Sequence, residues 1–194
     1  MAKTVLFIPG FQEDAHSRDY AAVLTAIEEK GYVARLVGVH WNYRTLDDWV
    51  RQVEKEYAQL DSDQTILAGF SFGAMTALAV AARRTPAQLW LCSLSPYFAE
   101  DLPGIRPAWL AYIGKRRAAV FSKLLFAELA QKIKCKTIIF IGSNEIRKFS
   151  DMEHRSKEAQ RLISGSSFHI VRDAGHEVDA PAYIAALRKS IRAS

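Results

Sequence analysis

Apolar residues follow two rhythms along this chain. Six short runs are almost continuously apolar or β-branched: TVLFI (4–8), VARLVGVH (33–40), TILAGF (65–70), LWLCSL (89–94), KTIIFI (136–141) and SFHIVR (167–172). Runs of that length without polar alternation predict strands of a parallel sheet covered on both faces. Helical patterns lie between them. Residues 17–30 open at a capping candidate, Ser17, and stop at Gly31. In 46–60, Leu46, Trp49, Val50, Val53, Tyr57 and Leu60 recur at helical spacing. Residues 73–84, 151–163 and 182–192 also read as helices. Strand and helix alternating in this way predict an α/β fold: a doubly wound, mainly parallel six-stranded sheet with helices on both faces.

One connection breaks the rhythm. Between Tyr97 and Cys135 the chain is much longer than the ~10–12 residues a crossover needs. Pro103 and Pro107 interrupt it, and Val120, Phe121, Leu124, Leu125, Leu129 and Ile133 then trace an apolar helical face. One or two extra helices are expected. Residues 98–134 either form a cap-like insertion over the strand ends, where sheets of this kind hold ligands, or a long crossover packed on the sheet. Its aromatics, Tyr97, Phe98, Trp109, Tyr112, Phe121 and Phe126, suit an acyl pocket and a core equally.

At 194 residues, the chain is expected to form a single domain, 1–194. Its 49% hydrophobic and 24% charged content is that of a soluble globular protein. No apolar run reaches the ~20 residues of a membrane span, and the first apolar run is too short for a signal peptide. Cys92 and Cys135 have neither metal-ligand nor disulfide-framework spacing. A cytoplasmic protein with reduced thiols is expected. The net charge of +5 is dispersed, and the longest basic cluster, Lys115-Arg116-Arg117, reads as a solvated face. No nucleic-acid partner is expected, and the oligomeric state is not legible.

The candidate chemistry begins at Gly69-Phe70-Ser71-Phe72-Gly73, where an apolar strand meets an alanine-rich helix. G-x-S-x-G alone is a modest signal, but a nucleophile elbow requires this strand-to-helix context. Gly69 and Gly73 remove side chains that would clash in so sharp a turn. The helix N-terminus behind Ser71 favours developing negative charge. A serine hydroxyl needs a base. Of five histidines, His154 falls in a helix and His169 in the last strand. His16 and His40 follow strands one and two and suit the surface or a pocket wall. His176, in DAGHEVD after the last strand, completes the chain order serine, acid, histidine. For the acid, Glu145 lies just past strand five. Asp151 is the alternative, although helix capping explains it. Asp173 and Asp179 shape the histidine loop. Backbone donors for an oxyanion are Phe72 N–H, next to the serine, and Phe11 N–H, after the Pro9-Gly10 turn. Read alone, that turn is an ordinary one.

Together these features resemble a small α/β-hydrolase, over almost the whole chain. The resemblance implies a central parallel sheet, Ser71, Glu145 and His176 as a triad, and Phe11 and Phe72 as oxyanion donors, with Gly10, Gly69 and Gly73 as motif glycines. Pro9-Gly10 stands where many members have His-Gly, and the family's acid is more often aspartate. The activity implied is hydrolysis of a small carboxylic ester or thioester through an acyl-enzyme, without metal or organic cofactor. Two alternatives are a binding protein with a vestigial triad and an acyltransferase using the same residues.

Overall fold

The computed structural model describes residues 2–14 and 18–191. His16 and the capping candidate Ser17 lie outside the described residues. Six strands, β1 (Thr4–Ile8), β2 (Val33–Leu36), β3 (Thr65–Phe70), β4 (Gln88–Cys92), β5 (Lys136–Gly142) and β6 (Ser167–Val171), form one sheet. The order is β2-β1-β3-β4-β5-β6, and every pairing is parallel. Helices α1 (Ala21–Glu28) and α9 (Pro181–Ser190) cover one face. The other face carries α2 (Leu46–Tyr57), α3 (Phe72–Ala81), α4 (Pro107–Ile113), α5 (Lys115–Phe121), α6 (Phe126–Lys132) and α8 (Ser150–Leu162). A short helix, α7 (Ser143–Lys148), follows β5 directly.

Continuous apolarity in the strands is explained by two cores, one on each side of the sheet. Successive residues alternate between them: Leu6 and Ile8 face the α2–α3 side, Val5 and Phe7 the α1–α9 side. Leu89 and Leu91 divide from Trp90 and Cys92 in the same way. β3, in mid-sheet, is buried at all six positions. α3 is buried along its whole length between the sheet and its neighbouring helices, so it shows no amphipathic stripe. α2 keeps one, burying Leu46, Trp49, Val50, Val53 and Tyr57.

Two expectations need correction. β2 ends at Leu36 rather than reaching His40: β1 stops at Ile8, and the bond from Val37 N–H to Phe7 O (2.9 Å) is followed by a loop that has no strand to pair with. The apolar stripe from Val120 to Ile133 is not one helix. α5 ends at Phe121, a turn through Ser122–Leu124 intervenes, and α6 starts at Phe126, leaving Leu125 largely exposed. The long connection therefore holds three short α-helices. Phe98, Phe121 and Phe126 are fully buried core residues, whereas Trp109 and Tyr112 are exposed at 44% and 55%. A buried ion pair ties the connection to α8. Arg155 donates to Asp101 through Nη2 and through Nε (3.0 Å), and its guanidinium lies 4.2 Å from the Phe126 ring.

Candidate active site

The turn between β3 and α3 is sharp enough to drive Ser71 to φ 56°. This left-handed region is costly for a residue with a side chain and is held by its surroundings. The surroundings are backbone: a Cβ on Gly69 would overlap the Gly73 carbonyl, and one on Gly73 would overlap the carbonyls of Ile8 and Pro9. Only glycine lets α3 pack this closely on β1 and β3. Ser71 N–H is tied to Cys92 O (2.9 Å), and Ser71 O accepts from the N–H groups of Ala74 and Met75. The side chain, 7% exposed, is left at the top of the sheet.

Three elements converge there. His176, in the loop after β6, places Nε2 3.0 Å from Ser71 Oγ. Its Nδ1 lies 2.5 Å from Glu145 Oε1. The Phe70 ring, 4.7 Å away centroid to centroid, backs the imidazole. Glu145 sits in the first turn of α7 and is 1% exposed. Its other oxygen, Oε2, accepts from Gly142 N–H (2.6 Å) and from Ser93 Oγ–H (2.8 Å). Asp151 instead lies at the start of α8, on the rim of the cleft, and Glu145 holds the position beside His176. His40 is exposed, His154 lies in α8 and His169 in β6.

Sequence reading missed Ser93 and Ser95, just past the end of β4. Ser93 has φ 52° and also bonds Tyr183 OH at 3.1 Å. Ser95 Oγ lies 3.1 Å from Ser71 Oγ. The signal available was two serines in SLS at a strand's C-terminal edge, where such sheets build sites. Beneath them, burial pushes the Cys92 thiol up to about 12, so it stays neutral. Burial, with Cys92 and Glu145 adding to it, also holds the Tyr183 hydroxyl well above its ordinary range.

On the opposite wall, Phe11 follows β1, and its ring lies 5.3 Å from that of Phe72. Phe72 opens α3, so its N–H has no acceptor within the helix. The Pro9-Gly10 turn is more than a plain one. Gly10 N–H donates to Glu13 Oε2 and to Tyr20 OH, both at 2.8 Å, and Tyr20 OH donates to the same carboxylate oxygen. A Cβ on Gly10 would fall 2.6 Å from Glu13 Oε2, so a side chain there would push the Glu13 carboxylate off this N–H. A cleft of about 460 Å³ opens over Ser71 and His176, walled by Ile105, Trp109, Tyr112 and Phe149. Among the described residues no group of His, Cys, Asp and Glu could hold a metal ion, and no helix is long and apolar enough to cross a membrane.

The fold is shared with many solved proteins. Est1E from Butyrivibrio proteoclasticus superimposes with a TM-score of 0.80 at 16% identity, covering 97% of this chain and 86% of that one. A bromoperoxidase from Bacillus anthracis gives 0.71 at 14%, over 97% and 89%. The carboxylesterase CesB (YbfK) from Bacillus subtilis gives 0.64 at 14%, over 95% and 81%. No protein-family profile and no curated protein matches the sequence. The chain therefore has the α/β-hydrolase fold. At these identities the likeness defines the architecture, and the chemistry is argued from the site.

Proposed function

We propose that this protein is a serine hydrolase that cleaves a carboxylic ester or thioester through an acyl-enzyme. One observation carries the proposal: Ser71 Oγ, His176 and Glu145 stand in an unbroken hydrogen-bonded row, at 3.0 and 2.5 Å, at the N-terminus of a buried helix. That row fits a neutral imidazole with its proton on Nδ1, donated to Glu145, and with Nε2 accepting from Ser71. Ser71 attacks the carbonyl carbon as His176 takes its proton. The oxyanion is held by Phe72 N–H and Phe11 N–H. His176 then protonates the departing alkoxide or thiolate. A water attacks the acyl-enzyme, losing its proton to His176, and the Ser71–acyl bond breaks as His176 returns that proton to Ser71 Oγ. Glu145 keeps the tautomer and stabilises the imidazolium in both halves.

The aromatic wall of Trp109 and Tyr112 supports residues 98–134 as a cap-like insertion of a single hydrolase domain, receiving the acyl chain of a small-molecule substrate. Carboxylesterases occur among solved proteins of this fold, in keeping with the proposal. The test is a chain-length panel of p-nitrophenyl esters and acyl thioesters with wild type and Ser71→Ala. Turnover by wild type that falls about 10⁴-fold or more in Ser71→Ala is expected. Equal turnover by both folded proteins would overturn the reading.

A further inference from the structure

The basic cluster Lys115-Arg116-Arg117 is more than a solvated face. It opens α5 at the wall of a second cleft, of about 500 Å³, whose other side is the Asn42–Arg44 loop and Gln12. Among the described residues four cations line this cleft, Arg44 being the fourth, and no carboxylate does. Elsewhere some surface arginines are paired, Arg51 with Asp48, Arg84 with Glu54, Arg161 with Glu158 and Arg188 with Glu29, while Arg35, Arg106, Arg147 and Arg172 are in no ion pair among the described residues; what sets the cleft apart is that its cations share one concave surface. Among the described residues, none of the four cleft cations is in an ion pair.

Arg117 has a structural task. Its three guanidinium nitrogens donate to Arg44 O (2.8 Å), Ile113 O (2.9 Å) and Trp41 O (2.9 Å), and the group stacks 4.8 Å from the centre of the Phe11 ring. It pins the 41–44 loop to the α4–α5 junction. Arg44 and Lys115 make no side-chain hydrogen bond among the described residues, and Arg116 makes one long bond, 3.5 Å to Tyr43 O. Cations gathered in a concave surface focus the field on an anion. The two clefts share a wall: Gln12 lines the basic one, Tyr112 the one over Ser71, and Tyr112 OH donates to Gln12 Oε1 at 3.0 Å. Gln12 directly follows Phe11.

We infer that the basic cleft binds a phosphate group carried by the substrate at a distance from the reacting carbonyl, so that the ester or thioester cleaved at Ser71 is a phosphorylated one. Arg44, Lys115 and Arg116 are the phosphate-binding residues. The phosphate is a spectator: the acyl carbon bonds to Ser71 Oγ, its bond to the alcohol or thiol breaks, and the proton from Ser71 passes through His176 to the leaving group. This inference rests on the serine-hydrolase reading for its substrate but not for its site.

The experiment has two arms. In the kinetic arm, butyryl coenzyme A is compared with the butyryl thioester of N-acetylcysteamine, which shares the reacting group and lacks phosphate. Wild type is expected to favour the phosphorylated thioester about 10-fold or more in kcat/KM, with the preference shrinking as salt rises. The variant Arg44→Gln/Lys115→Gln/Arg116→Gln should lose the preference and keep its rate on the neutral thioester. Equal kcat/KM in wild type, or a preference surviving in the triple variant, would overturn the inference. In the binding arm, inorganic pyrophosphate is titrated calorimetrically into wild type, Ser71→Ala and the triple variant. Equal affinity for the first two and about 10-fold weaker binding by the third is expected, and the same affinity in all three would overturn the site. If neither thioester is cleaved, the substrate half of the inference fails, the ester panel still decides the hydrolase reading, and the binding arm still decides the cleft.

Discussion

Ser93 Oγ–H donates to Glu145 Oε2 at 2.8 Å, while Oε1 of the same carboxylate faces His176. The serine is thus bound to the side of the acid that the imidazole does not use. Together with Gly142 N–H it fixes the rotation of a carboxylate that is cut off from water. In the proposed mechanism Ser93 is a positioning residue. A hydrogen bond to a charged group contributes about 1.5–3 kcal/mol, so Ser93→Ala should lower kcat by about 10- to 100-fold. KM should hardly move, because Ser93 does not line the cleft. Steady-state kinetics on one ester checks this, and an unchanged kcat would remove the positioning role.

The two candidate acids separate cleanly by substitution. Glu145→Gln keeps the shape and removes the charge that favours the imidazolium, so kcat should fall by about 10²- to 10⁴-fold. Asp151→Asn, altered only at the cleft rim, should leave turnover within a few-fold. Circular dichroism establishes that both are folded before rates are compared. The reverse ranking would move the acid's role to Asp151.

Two aromatics of the long connection have opposite surroundings. Trp109 is 44% exposed on the cleft wall, and Phe121 is completely buried against Trp49, Phe72 and Tyr97. Trp109→Ala should shift the preferred acyl chain length with little change in Tm. Phe121→Ala should cost about 3–5 kcal/mol. An ester panel beside thermal melts distinguishes them.

Asp101 and Arg155 form a pair almost completely removed from water. Asp101→Ala strands a buried guanidinium, and the loss should be about 3–5 kcal/mol, or roughly 6–20 °C in Tm for a chain of this size. The double replacement Asp101→Leu/Arg155→Met should recover most of it. Calorimetric melts of both proteins are the check.

Much of the architecture was legible because its physical cause is local. A strand covered on both sides must be apolar throughout, so the four inner strands β1, β3, β4 and β5 announced themselves, the partly buried edge strands β2 and β6 showed through their shorter apolar runs, and α2, with one wet face, kept its period. The elbow was legible because Gly69 and Gly73 mark where backbones touch. Ser71, Glu145 and His176 stood out by chain order, past the ends of β3, β5 and β6. What escaped notice depends on contacts distant in sequence or on burial. Ser93 meets Glu145 across 52 positions, and Ser95 meets Ser71 across 24. The break between α5 and α6 is hidden because Leu124 and Leu125 continue the apolar spacing through a turn. Nothing local to Lys115-Arg116-Arg117 shows that the fold brings Arg44 to the same cleft and leaves the carboxylates elsewhere.

The central claim is that Ser71 is an activated nucleophile, and covalent labelling tests it most directly. A fluorophosphonate reacts with a serine whose base and oxyanion donors are in place. After incubation with the probe and digestion, mass spectrometry should find one adduct, on the peptide carrying Ser71. Ser71→Ala should show none, and His176→Ala should label far more slowly. A wild-type protein that stays unlabelled, or a Ser71→Ala protein labelled as fast as wild type, would contradict the account.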